Sequence, residues 1–389
     1  MIAEFQPRVL AGYEQVRGFA QVGEGSGNRA QLDGFRTCPD DERNTKLAQL
    51  PPWLRRDMCR RCGSGWQAGS RTLDQERAGQ GGNPLLLSPG MTGNGLAKRP
   101  SIDGVLVAQV TDLHIGFDRD NPHEMNVRRL NLVIDQLNGM KQRPSLLLVT
   151  GDLVDNADDL DAYRHMKELI GRWDGPVIWA LGNHDGRDEF RQVFPDVPTD
   201  DHGFIQYELD HGGLRWIVLD TLDAGRHGGT ICEERAAWLK KRLRERKDMP
   251  TIIILHHPPV DTGIDWMSAL SCEAWVQRLE AIVRPAKQVV GMIAGHVHRP
   301  IATSFAGKPL NVCPSTAPWV ALDLDDVDPK HPDGRPLIVA DPPAYALHYW
   351  NGERLLSHFD VAGPRHVLAS YDNNAIPMMR DFLNERGTG

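Results

Sequence analysis

The stretch VLVAQVTDLH, residues 105–114, decides how the chain is read. Six residues, Val105–Val110, are almost wholly apolar and run straight into Thr111-Asp112-Leu113-His114. A short apolar run without polar alternation reads as a strand buried on both faces. Five further runs have the same character: SLLLVT (145–150), PVIWAL (176–181), RWIVLD (215–220), TIIILH (251–256) and VVGMIAG (289–295). Helical spacing fills the gaps. Val127, Leu130, Ile134 and Leu137 mark one apolar face, and Leu160, Tyr163, Met166 and Ile170 a second. Glu233–Lys247 predicts an exposed helix with Ala236, Leu239 and Leu243 inward, and Cys272–Val283 one more. Strands alternating with helices predict an α/β layered domain. The later runs PLNVC, YALHYW and RLLSHFDV are strand without helix, which predicts an antiparallel end to the sheet. The acidic, proline-containing segment 323–336 predicts an exposed loop, and Ile376–Leu383 a closing helix.

The polar residues just past the end of each run carry the chemistry. After 105–110 come Asp112 and His114; after 145–150, Gly151-Asp152-Leu153-Val154-Asp155. After 176–181 come Gly182-Asn183-His184-Asp185; TIIIL leads into His256-His257-Pro258-Pro259, and the last run into Gly295-His296-Val297-His298. In open α/β sheets ligands bind beyond the carboxyl ends of strands, so five polar clusters at five strand ends are placed to converge. Residues two apart in extended chain project to one side, which predicts that Asp112 with His114, and His296 with His298, act as pairs. Each cluster taken singly is weak, since Gly, Asp and Asn also make ordinary turns. Five unrelated turns have no reason to carry Asp, His and Asn directly after five apolar runs. Carboxylates, imidazoles and an amide oxygen suit two ions of Mn, Fe, Zn or Co, and the set contains no cysteine.

Residues 1–100 differ in composition. They hold 15 of the 38 glycines and 14 Lys+Arg against 10 Asp+Glu, so +4 of charge here leaves −12 for the rest of a chain whose net charge is −8. Their apolar residues follow neither period, which predicts a largely disordered extension with one short helix near 44–56. Met91 precedes the first convincing strand, which suggests a natural start there. Cys59-Arg-Arg-Cys62 lacks the further ligands that a zinc site needs, because the first 100 residues hold only one other cysteine and no histidine. The acidic balance disfavours nucleic-acid polymers as partners. Six scattered cysteines predict a reducing cytoplasm. No run approaches the ~18 apolar residues of a membrane span, and residues 1–20 contain no apolar signal core.

The strings DLHIG (112–116), GDLVDN (151–156), GNHDGR (182–187), HHPPVDTG (256–263) and GHVHRP (295–300) together resemble the calcineurin-like metallophosphoesterase family. Within it they are most like class III cyclic-nucleotide phosphodiesterases and bacterial glycerophosphodiesterases. The resemblance covers roughly 104–320 and extends more weakly to about 362. It implies a four-layer α/β/β/α sandwich of two mixed sheets flanked by helices, spanning residues 101–370 between the 1–100 extension and a C-terminal helix or tail, 371–389. It further implies that Asp112, His114 and His298 bind a first metal ion, that Asn183, His256 and His296 bind a second, and that Asp152 bridges them. His184 would stabilise the phosphoryl group or protonate the leaving group, with Asp155 and Asp185 orienting their neighbours. The implied reaction is hydrolysis of cyclic nucleotides or small phosphodiesters by in-line attack of a metal-bridging hydroxide. A phosphomonoesterase or nucleotide-sugar pyrophosphatase on the same core, a catalytically silent scaffold, and a homo-oligomer stay open.

Overall fold

The computed structural model describes residues 104–385. The expectations placed on residues 1–100 (the 44–56 helix, the cysteine pair and a start at Met91) lie outside the described residues.

Two mixed sheets face each other. In the first, β1 (Val105–Val110), β2 (Leu147–Thr150) and β3 (Val177–Ala180) are parallel. On the other side of β1 the late strands β12 (Ala344–Trp350) and β13 (Leu355–Val361) add antiparallel, giving the order β13-β12-β1-β2-β3. The second sheet has the order β4-β5-β6-β7-β9-β8. Its strands are β4 (Tyr207–His211), β5 (Leu214–Val218), β6 (Thr251–Ile254), β7 (Val289–Ala294), β8 (Ile301–Phe305) and β9 (Lys308–Val312). The central strands β5, β6, β7 and β9 are parallel, and β4 and β8 close the edges antiparallel. A short ribbon, β10 (Trp319–Val320) with β11 (Ile338–Val339), brackets the acidic loop.

The helices α1 (Met125–Asn138), α2 (Leu160–Ile170) and α3 (Arg187–Val193) share one apolar core with the first sheet. The helices α4 (Glu233–Glu245) and α5 (Ala274–Val283) share a second core with the other sheet. The runs in β5 and β6 lack alternation because both faces are covered. Trp216, Val218, Ile252 and Ile254 point into the first core, while Ile217 and Ile253 point into the second. The two periodicities meet here: period-2 strands between layers and period-3.6 helices outside them give the predicted α/β/β/α order. At the edge of the first sheet, the Tyr207 hydroxyl accepts from Trp179 N and donates to Trp179 O, both at 2.9 Å, which blunts the open side of β3. The C-terminal helix α6 (Ile376–Asn384) forms as predicted but has no buried residue. Among the described residues no helix is long and apolar enough to cross a membrane.

Candidate metal centre

All seven residues expected to bind metal lie on the loops that leave five strands at one end of the sandwich. Asp112 and His114 follow β1, Asp152 follows β2, and Asn183 follows β3, all in the first sheet. His256 follows β6, and His296 and His298 follow β7, in the second. The loops are tied to each other through backbone. Asp112 N donates to Gly151 O, Leu113 N and His114 N to Asp152 O, and Gly295 N to His256 O, at 2.7–3.0 Å. Across the sheets, His296 N donates to the Asp112 carboxylate at 3.1 Å.

The same-side argument for the two pairs fails in its mechanism. Neither pair is in extended chain: Asp112 and His114 have φ of 53° and 47°, and His296 and His298 have φ of 73° and 57°. Asp152, at 48°, is a fifth site residue in this left-handed region, and among the described non-glycine residues only Ala306 joins them. Side chains are disfavoured there, and such strain persists where surrounding structure over-determines it, typically at sites. The pairs converge because the strands end and the chain curls back, rather than because the strands continue. Close approach fixes the glycines beside them. A Cβ on Gly182 would lie 2.2 Å from Asp152 Oδ1, and one on Gly151, at φ 97°, 2.4 Å from His256 Nδ1.

The imidazoles are held so that one nitrogen of each faces inward. His256 Nδ1 meets Thr150 O at 2.8 Å, and His298 Nδ1 meets Pro318 O at 2.7 Å. His114 Nδ1 meets Asp155 Oδ1 at 3.3 Å, and His184 Nδ1 meets Asp155 O at 2.8 Å. Each of these acceptors takes the Nδ1 proton and turns Nε2 inward, the nitrogen that would meet an ion. The Nε2 atoms of His114 and His298 then stand 3.2 Å apart, a contact between two lone pairs. Buried His256 Nε2 makes no hydrogen bond, yet faces Asp152 Oδ2 at 3.3 Å and Asp112 Oδ1 at 3.8 Å. Asn183 Oδ1 lies 3.0 Å from His296 Nδ1. Two nitrogen ligands of one ion, at ~2.0–2.1 Å each, sit about 3 Å apart. The donor set therefore fits a pair of cations that would accept these lone pairs and offset the buried carboxylates. Asp112, His114, Asp152 and His298 form one group able to hold an ion, and His256, His257 and His296 another.

Electrostatics without metal show the tension. Burial pushes Asp112 up to about 6, against the pull of His256. Burial also disfavours ionised Asp152, but His256 and His114 overcome it and hold that carboxyl well below its usual range. His256 is raised to about 9: burial opposes the charge, and Asp152 and Asp112 outweigh it. Burial keeps His298 down at about 4 and His296 well below the ordinary range.

Asp155 and Asp185 differ in what they touch. The Asp155 carboxylate meets His114, while its carbonyl meets His184. Asp185 contacts no imidazole directly; it accepts from Leu153 N at 3.0 Å and Gly182 N at 2.8 Å, clamping two of the loops together. The His184 backbone N donates to Asp152 Oδ1 at 2.9 Å, and its ring stands edge-on to His114 at 4.5 Å. Of the adjacent histidines, His256 is the one facing both carboxylates. His257, which sequence reasoning set aside, packs its ring 4.7 Å from His296 and meets Thr221 Oγ1 at 2.8 Å. His227 also escaped the sequence reading, and its ring lies 4.8 Å from His296. It sits alone in a glycine-rich loop, without a motif to mark it.

The comparisons agree with this geometry. A "Probable glycerophosphodiester phosphodiesterase" of Arcobacter nitrofigilis is 30% identical over 264 residues, 67% of this chain and 94% of that protein. The glycerophosphodiester phosphodiesterase of Enterobacter lignolyticus is 29% identical over 276 residues, covering 69% and 92%. A cAMP/cGMP dual specificity phosphodiesterase of Mycobacterium tuberculosis is 33% identical over 231 residues, covering 57% and 70%. The profile of the calcineurin-like phosphoesterases matches residues 105–300, about half the chain and the part that holds all five strand-end clusters. With that match, that relative and these converging loops together, the chain belongs to the calcineurin-like phosphoesterase family.

Proposed function

We propose that the protein is a dinuclear-metal-dependent phosphodiesterase that hydrolyses cyclic nucleotides or other small phosphodiesters. The observation that carries this reading is the inward cluster of imidazole nitrogens, with the His114 and His298 Nε2 atoms 3.2 Å apart and His256 Nε2 facing Asp152 Oδ2 at 3.3 Å and Asp112 Oδ1 at 3.8 Å. In this reading Asp112, His114 and His298 hold one ion, Asn183, His256 and His296 the other, and Asp152 lies between them. Bound divalent ions supply Lewis acidity, which acidifies water and neutralises phosphoryl charge. Imidazole and carboxylate donors favour Mn, Fe, Zn or Co.

His184 acts on the ester itself. Its Nδ1 is anchored to the Asp155 carbonyl, so Nε2 is the end free to face a phosphoryl or leaving-group oxygen. Burial opposes its charge, but Asp152 and the Asp155 carbonyl outweigh it and raise its pKa above the ordinary value, the direction that suits a proton donor. The names of the three relatives all specify diester substrates, which supports a diester over a monoester. A reducing cytoplasm suits the three described cysteines, Cys232, Cys272 and Cys313, none of which is bridged.

The test is a panel with Mn²⁺: 3′,5′-cyclic AMP, glycerophosphoethanolamine, bis(p-nitrophenyl) phosphate and p-nitrophenyl phosphate. Diesters should be turned over with the higher kcat/KM. A clear preference for the monoester would overturn the reading.

A further inference from the structure

We propose that His227 and Trp266 form a flat aromatic wall at the rim of the centre, on which the planar base of a cyclic-nucleotide substrate stacks. The proposal rests on the phosphodiesterase reading above and narrows it to nucleotides. The two rings come from separate segments. His227 lies on the exposed loop after β5, and Trp266 on a single turn, Asp265–Met267, after β6. Their planes are 25° apart with centroids at 6.1 Å, a near-parallel, offset pair. The His227 ring also lies 4.8 Å from His296, one of the inward imidazoles.

Two features say that the wall faces a ligand rather than the core. Trp266 is 37% exposed although Trp is usually among the better-buried residues. His227 is exposed as well. The wall is also braced from behind. Asp265, beside Trp266, accepts from Val327 N at 3.2 Å, which ties the acidic loop to this turn. The strand β10 that leads into this loop follows Pro318, whose carbonyl holds His298. The near-parallel setting selects the ligand's shape. A quaternary ammonium is gripped by rings set steeply around it, as in aromatic cages, whereas two faces 25° apart match a flat heterocycle. Base–aromatic stacking tolerates any base, since each presents a π-face. The site would therefore distinguish nucleotide from glycerol esters better than one base from another.

The experiment compares Trp266→Ala and Trp266→Phe with wild type on 3′,5′-cyclic AMP, glycerophosphoethanolamine and glycerophosphocholine, all at saturating Mn²⁺. Loss of the ring should raise KM for cyclic AMP by about 5- to 100-fold, the range of one stacked base, with kcat nearly unchanged. Trp266→Phe should recover most of that loss. KM for the glycerol esters should stay within about 2-fold, which also reports that the variant is folded. Equal loss on all three esters, no loss on any, or a loss confined to the choline ester overturns the proposal. So does a wild-type enzyme active on glycerol esters but not on cyclic AMP. Inactivity of wild type on every diester would instead sink the phosphodiesterase reading.

Discussion

His184 and Asp152 sit in contact, yet their removal should have different consequences. Asp152 faces imidazoles from both sheets, with His114 Nε2 at 3.7 Å and His256 Nε2 at 3.3 Å. Asp152→Ala should therefore lose both ions and nearly all activity, read by metal analysis of the purified variant; retained occupancy of both would contradict the bridging role. His184→Ala should keep both ions and lower kcat by about 10²–10³, the usual effect of losing one transition-state donor. An unchanged kcat would remove His184 from the chemistry. The identities of these residues were legible in sequence because each follows an apolar run. Their geometry was not. Nothing in a spacing of two distinguishes extended chain from the left-handed turns that Asp112, His114, His296 and His298 adopt. His227 and Trp266 were not legible either, since only the fold brings two lone aromatic residues from distant loops side by side.

Among the elements, α3 and α4 are locked to the strand ends through one buried carboxylate. Asp220, just after β5, accepts from Arg187 of α3 at 2.7 and 2.8 Å and lies 3.6 Å from Arg235 of α4. Burial opposes its charge, but the two guanidiniums hold its pKa below the ordinary value. A depressed carboxylate contributes stability above its unfolded pKa of about 4 and loses it as pH falls through the lower folded value. Asp220→Asn should cost about 3 kcal/mol at pH 7, because buried Arg235 and half-buried Arg187 lose the charge they face while keeping their carbonyl partners. The cost should shrink as pH falls below about 4 and on through the lower folded value, where the wild type also loses the pair. Denaturant titration at both pH values checks this, and a cost independent of pH would refute it. Such locks explain which elements were legible. Continuous apolar runs revealed β1, β2, β3, β5, β6 and β7, because burial on both faces leaves no polar positions. The strands β4 and β8 escaped because they lie at sheet edges, where YELDH and IATSF keep exposed polar residues. At seven residues, α3 is too short to show a periodicity.

For the whole molecule, metal and protons compete for one place. Without metal, His256 keeps its proton up to about pH 9, in a buried pair with Asp152 and Asp112. Its folded pKa is raised, so this pair stabilises the metal-free protein fully below about pH 6.5 and ceases to do so as pH rises through about 9. An ion binding at Nε2 must displace that proton. Affinity for the ion held by His256 should thus rise with pH up to about 9, and titration calorimetry at pH 7 in buffers of different ionisation enthalpy should report about one proton released as that site fills. A pH-independent affinity would refute this. The first sheet also joins strands that are made far apart in time. β1 carries Asp112 and His114, and its second neighbour is β12, with Val107 opposite His348. During synthesis β1 keeps one raw edge for some 240 residues, until that partner leaves the ribosome. Contacts so distant in sequence form slowly, so a nascent chain would carry an open strand for most of its elongation. A message truncated before residue 344 would yield a chain whose first strand, paired with β2 on one side, leaves its other edge open to a second chain.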